Sequence, residues 1–198
     1  FVSAIDDYSK AIELDKEDAS LYNYRGVAYY NTDAFAKAIK DYDMAIKLDP
    51  NDALKYENRA LAKSALEDIK GALADYDKAI ELDGEDPETY NLRGVLKYAV
   101  EDFDGAIADY TTAIELDPTN PTYYDNRALS RTEKEEYASA VDDYSASIEL
   151  YPSDPESYYQ RGMLKLLMNN NYDGCLDLKR AEDLGSPDAK AAIRKNCK

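Results

Sequence analysis

Apolar positions in this chain recur at spacings of three and four, and the whole pattern recurs every 34 residues. In the stretch from Ala38 to Pro50, AIKDYDMAIKLDP, the residues Ala38, Ile39, Tyr42, Ala45, Ile46 and Leu48 share one side of a helix, and Lys40, Asp41, Asp43 and Lys47 fall mostly between them. Shifted by 34, the stretch returns as ALADYDKAIELDG from Ala72, AIADYTTAIELDP from Ala106 and AVDDYSASIELYP from Ala140. It also stands earlier as AIDDYSKAIELDK from Ala4 and, worn, as GCLDLKRAEDLGS from Gly174. A second helical pattern precedes it in each period, clearest as LYNYRGVAYY from Leu21 and TYNLRGVLKY from Thr89. Two amphipathic helices at one fixed period predict a stack in which each unit buries its apolar face against its neighbours.

The boundaries follow the same period. An Asp or Asn precedes each first helix, at Asp18, Asp52, Asp86, Asn120, Asp154 and, before the tail, Asp188. Each is expected to accept a hydrogen bond from the open N–H groups of the coming turn. Pro87, Pro121 and Pro155 suit the first helical position, where no N–H is needed. Pro50, Pro118 and Pro152 close second helices, and Gly84 is expected to do so in the unit that lacks proline. Tyr172 lies one residue late relative to Phe35, Phe103 and Tyr137, which predicts a turn at Asn169 one residue longer than the others. The chain then divides into the second helix of a truncated leading repeat (1–18), five full units (19–52, 53–86, 87–120, 121–154, 155–188) and a C-terminal capping helix (189–198). Phe1 falls inside a repeat and reads as a cut end.

In its first helices each unit has an aromatic followed four residues on by a small residue: Tyr22 and Gly26, Tyr56 and Ala60, Tyr90 and Gly94, Tyr124 and Ala128, Tyr158 and Gly162. The second helices carry small, aromatic, small and then often proline, as in Ala38, Tyr42, Ala45 and Pro50, or Ala106, Tyr110, Ala113 and Pro118. In these residues the chain resembles tandem tetratricopeptide repeat (TPR) proteins along essentially its whole length. The resemblance implies an all-α fold, a right-handed α-solenoid of antiparallel helix pairs (TPR superhelix), whose first helices line a concave face. The small residues are then sites of close helix approach, and the recurring tyrosines are core residues with a polar tip.

Composition narrows the function. The formal charge is −17, which argues against nucleic acid as a partner, since phosphate binding draws on clustered Lys and Arg. No run approaches the roughly 18 apolar residues of a membrane span, and nothing at the N-terminus has the form of a signal peptide. There is no histidine, so the commonest general base and metal ligand are missing, and two cysteines are too few for a zinc site. GxGxxG, P-loop and GxSxG motifs are absent. No catalytic residue, metal or cofactor is expected.

Two charged columns share the period: Arg25, Arg59, Arg93, Arg127 and Arg161 in first helices, and Asp41, Asp75, Asp109, Asp143 and Asp177 in second helices. Opposite signs at one period suggest a ladder in which guanidinium forks hold paired carboxylate oxygens between packed helices. The alternative is that the arginines grip a ligand carboxylate. Cys175 and Cys197 occupy slots that are apolar in other units, so they read as small buried apolar residues. They also lie ten and twelve residues from Gly185, on opposite arms of an expected hairpin, so a disulfide is the second reading. Pairing would place the protein in the periplasm or outside the cell; free thiols would suit the cytoplasm.

The resemblance assigns the concave face to residues beside the packed ones. These are Asn23, Tyr24 and Val27, then Glu57 and Asn58, Asn91 and Leu92, Asp125 and Asn126, and Tyr159 and Gln160. Side-chain amides recur there and can both donate to and accept from an extended peptide backbone, while Glu57, Glu88, Asp125, Glu133 and Glu156 add negative charge. The expected partner is a neutral-to-basic peptide segment of another protein. TPR clamps for chaperone C-terminal carboxylates use Lys, Asn and Arg, and the matching slots here hold Asn23, Val27, Glu88 and Leu92, which argues against that partner. Self-association through convex or terminal surfaces is the alternative.

Overall fold

The computed structural model describes residues 2–197, and among them the only regular structure is helical. The helices are α1 (Val2–Leu14), α2 (Ala19–Tyr30), α3 (Phe35–Leu48), α4 (Ala53–Ala65), α5 (Ile69–Leu82), α6 (Pro87–Ala99), α7 (Phe103–Leu116), α8 (Pro121–Glu133), α9 (Tyr137–Leu150), α10 (Pro155–Leu167), α11 (Asn171–Asp183) and α12 (Ala189–Asn196). No helix among the described residues is long and apolar enough to cross a membrane.

The chain forms two compact units, divided between Leu96 and Lys97. In the first, α1 packs on α2, α2 on α3, α3 on α4 and α4 on α5. In the second, consecutive helices pack in the same way from α7 to α12. Each core is a file of small residues and tyrosines. Ala38, Tyr42 and Ala62 cluster in the first unit, as do Ala60, Ala72, Tyr76 and Leu96; Ala128, Ala140, Tyr144 and Leu164 cluster in the second. The small residues are there because the helices touch. A Cβ added to Gly26 would lie 2.5 Å from a ring carbon of Tyr42, closer than any real contact, and one added to Gly162 would lie 3.0 Å from the Gly174 carbonyl oxygen. Burial pushes the hydroxyls of Tyr42, Tyr76, Tyr110 and Tyr144 well above the ordinary phenol range.

Five of the six expected N-caps accept hydrogen bonds from the turn they precede: Asp18, Asp52, Asp86, Asn120 and Asp154. Asp188 does not. Its backbone is already helical (φ −90°, ψ −23°), so its carboxylate is not aimed back along the first turn, and α12 begins without a side-chain cap. Gly84 supplies no left-handed cap either. The second helices α3, α5 and α7 all end alike, with the N–H of Asp49, Asp83 or Asp117 bonded to the carbonyl of Ala45, Ala79 or Ala113, whether proline or glycine follows.

Left-handed backbone appears instead between the two helices of each pair, at Asp33, Glu67, Glu101, Glu135 and Asn169, with φ between 57 and 63°. These five recur every 34 residues and fix the turn's geometry through the backbone. For that reason the Asn169 turn is not lengthened. Asn170 caps α11 and Asn171 takes the position of Phe35 and Tyr137, which leaves Tyr172 pointing outward with 76 % of its surface exposed.

Candidate functional site

Arginine in the first helix and aspartate in the second stand 16 residues apart, and the geometry joins them. Arg25 Nε and Nη2 donate to the two oxygens of Asp41 at 2.7 Å each. The same fork links Arg59 to Asp75 at 2.8 and 2.6 Å, Arg127 to Asp143 at 3.0 and 2.7 Å, and Arg161 to Asp177 at 2.8 and 2.7 Å. The aspartates are buried and the arginines half-buried, which suits the weakly hydrated, planar guanidinium. The hydrogen bonds to Asp41 and Asp75 hold Arg25 and Arg59 above the usual arginine range.

The remaining Nη1 of each arginine reaches 16 residues back to the preceding second helix. It finds Ser9, Asp43, Asp77, Thr111 and Ser145 from Arg25, Arg59, Arg93, Arg127 and Arg161, at 2.7 to 3.2 Å. The guanidinium carbons also lie 5.5 to 5.9 Å from the ring centroids of Tyr22, Tyr56, Tyr90, Tyr124 and Tyr158, three residues earlier. A second cation column, which the sequence analysis missed, lies one helical turn after the first. Lys63 bonds Asp75, Lys97 bonds Asp109, Arg131 bonds Asp143 and Lys165 bonds Asp177, at 2.6 to 2.8 Å. Its signal was the 34-residue spacing of those four, hidden in the first unit by Tyr29.

The first-helix face is arranged differently. Its amides are engaged with their neighbours: Asn58 donates to buried Asn23 at 3.1 Å, Asn91 is buried with its Nδ2 3.4 Å from the Glu88 carboxylate, and Gln160 donates to Glu156 at 2.6 Å. Val27 and Leu92 turn toward the core clusters. Tyr24 is half exposed against Tyr8, ring centroids 5.8 Å apart, and Asn126 and Tyr159 are half-buried.

Two carboxylates on this face share an arrangement at a 68-residue separation. Glu57 accepts from Thr89 Oγ1 at 2.8 Å, and the same oxygen lies 2.6 Å from Asp86. Asp125 accepts from Ser157 Oγ at 3.0 Å, and that oxygen lies 2.6 Å from Asp154. A hydroxyl carries one proton, so it serves one carboxylate at a time. Among the described residues Glu57 and Asp125 make no ion pair; burial, reinforced by neighbouring carboxylates against the hydroxyl's opposing hydrogen bond, pushes both carboxyls above their ordinary range. The folded state binds more protons than the unfolded one from about pH 4 upward, so these two groups contribute less stability as pH rises through their folded values. Glu57→Gln with Asp125→Asn is therefore expected to gain stability relative to the parent between acidic and neutral pH, measured by denaturant unfolding; a difference independent of pH contradicts this.

At the C-terminal end, Cys175 of α11 and Cys197 after α12 form a disulfide, with Cα atoms 5.7 Å apart. Of the two readings open in the sequence, the structure has the paired one.

Stacked antiparallel helix pairs locked by a periodic ion-pair ladder define a helical-repeat solenoid protein. Models of the tetratricopeptide repeat match residues 19–52, 87–120 and 56–86, and a TPR-repeat model matches residues 3–33. The chain belongs to the TPR family. Solved structures agree on the fold. The crystal structure of YrrB, described as a TPR protein with an unusual peptide-binding site, is 21% identical with a TM-score of 0.82 over 95% of this chain and 97% of that one. A crystal structure of MamA is 21% identical with a TM-score of 0.78, over 83% and 96%. The C-terminal part of a TPR repeat-containing protein from Cytophaga hutchinsonii is 18% identical with a TM-score of 0.83, over 98% and 78%. No curated protein matches the sequence significantly.

Proposed function

We propose that the protein is a non-enzymatic scaffold whose first-helix faces bind a neutral-to-basic segment of another protein. One contrast carries the reading. In the second helices Asp75, Asp109, Asp143 and Asp177 each have a cation of their own chain, whereas Glu57, Asp125 and Glu156 on the first-helix face make none of the described ion pairs. Carboxylates held without a counter-charge on a rigid face favour a cation brought by a partner. A TPR protein is a protein-interaction scaffold, and the peptide-binding site ascribed to YrrB supports the same use here. The disulfide favours an oxidising compartment.

The test is a titration of unstructured peptides graded from acidic to basic. Basic peptides should bind, more weakly as salt rises, and Glu57→Gln with Asp125→Asn should weaken them about tenfold or more without lowering the melting temperature. Equal binding of acidic and basic peptides would sink the charge assignment. Concentration-dependent oligomers in sedimentation, with no peptide binding, would favour self-assembly instead.

A further inference from the structure

A cavity of about 250 Å³ opens in the second unit among α8, α9 and α10. Leu129 and Tyr144 line it, together with Asp125, Asp154, Glu156, Ser157 and Gln160. We propose, building on the scaffold reading above, that this cavity receives a lysine side chain of the partner protein.

The chain supplies the comparison itself. The corresponding positions three repeats earlier, 102 residues back, are Asn23 for Asp125, Leu54 for Glu156 and Lys55 for Ser157, with Asp52 for Asp154. There the chain buries a lysine of its own. Lys55 is 3 % exposed, with Nζ 2.6 Å from both Asp49 and Asp52, and Asn58 closes onto Asn23. Burial works against the Lys55 ammonium, yet its two carboxylate partners hold its pKa above the ordinary lysine range. In the second unit a short hydroxyl replaces that lysine, and the three substitutions leave the lining more negative by three charges (Asn to Asp, Leu to Glu, Lys to Ser). Asp49, the other partner of Lys55, is matched by uncharged Tyr151, so the neighbourhood is more negative by two. Space of side-chain size remains, lined by Leu129 and Tyr144, which suit a methylene stem, and by three carboxylate residues, which suit its charge.

Lysine fits better than arginine. Asp154 accepts from the Ser157 N–H at 2.8 Å, the one Ser157 hydroxyl proton goes to either Asp125 or Asp154, and Glu156 accepts from Gln160, so the acceptor positions left for a cation are spread over three residues. A compact ammonium with three rotatable donors can take one oxygen from each. Asp125 is the central group: it is half-buried, its donors among the described residues are the Ser147 and Ser157 hydroxyls, and burial pushes its carboxyl up in the way an arriving cation reverses.

The experiment uses Nα-acetyl-lysine N-methylamide as probe, followed through the backbone amide signals of Asp125, Ser157 and Gln160 in the whole chain. Saturable shifts are expected with the lysine probe, none with the norleucine counterpart, and weaker ones with the arginine counterpart. Asp125→Asn should weaken lysine binding about tenfold or more, and Ser157→Lys, which places a lysine where Lys55 stands, should abolish it. Unmoved amides, equal response to norleucine, or unchanged affinity in Asp125→Asn overturns the proposal. If basic peptides bind while these amides ignore the lysine probe, the pocket fails and the scaffold reading stands. If the probe binds and no peptide does, the pocket stands and the scaffold reading falls.

Discussion

Asp143→Ala should lower the melting temperature by roughly 6 to 12 °C, because it strands two cations. The Asp143 carboxylate is 5% exposed and takes both Nε and Nη2 of Arg127 as well as Nη1 of Arg131. Removing one partner of a buried ion pair costs about 3 to 5 kcal/mol, since the other charge stays buried without compensation. Arg127 and Arg131 keep 13% and 21% of their side-chain surface, so partial hydration places the loss near the lower end, about 3 kcal/mol. For a chain of this length each kcal/mol corresponds to about 2 to 4 °C. The control is Asp43→Ala, whose carboxylate meets Arg59 while 54% exposed, and which should cost less than about 1 kcal/mol. Thermal unfolding of the two variants decides the matter; equal melting would show that the ladder is decoration.

Breaking the disulfide should cost about 3 kcal/mol, by the chain-entropy estimate for a closed loop whose ends lie 22 residues apart. The loss should stay local. α12 has eight residues, fewer than the ~12–15 that make even a good isolated helix marginal, no side-chain cap, and only Ala189 and Ala192 buried. Each repeat touches only its neighbours, so nothing beyond α11 depends on it directly. In Cys175→Ser with Cys197→Ser, hydrogen exchange should rise throughout α12 and remain unchanged in α2 to α9. Protection of α12 equal to the parent's would mean that packing alone holds the last helix.

Helix boundaries and the core files were legible because they depend on local rules repeated at one period. Tyr42 and its counterparts are buried since the apolar face recurs with them, and the caps follow from short polar side chains at fixed offsets. The failures share a cause too. The late aromatic at Tyr172 points to a longer Asn169 turn, whereas the turn's length is set by a left-handed backbone position that Asn169 shares with Asp33 and Glu135. Asp188 has the right side chain in the wrong backbone conformation. In the first-helix face, residue type alone could not show that Asn23 and Asn58 bond each other, or that Val27 and Leu92 lean into the core. Those outcomes depend on the distance between neighbouring helices, which small residues set elsewhere. The lysine-and-arginine column at Lys63, Lys97, Arg131 and Lys165 was present in the spacing, and its partners became apparent only with Asp75 to Asp177 in place.

The division of labour between the two sets of carboxylates is tested most directly by titrating one basic peptide against Asp125→Asn and Asp143→Asn at the same salt concentration, below both melting temperatures. Affinity about tenfold or more weaker in Asp125→Asn and retained in Asp143→Asn is the predicted result. Retained affinity in Asp125→Asn, with the loss falling on Asp143→Asn, would contradict it.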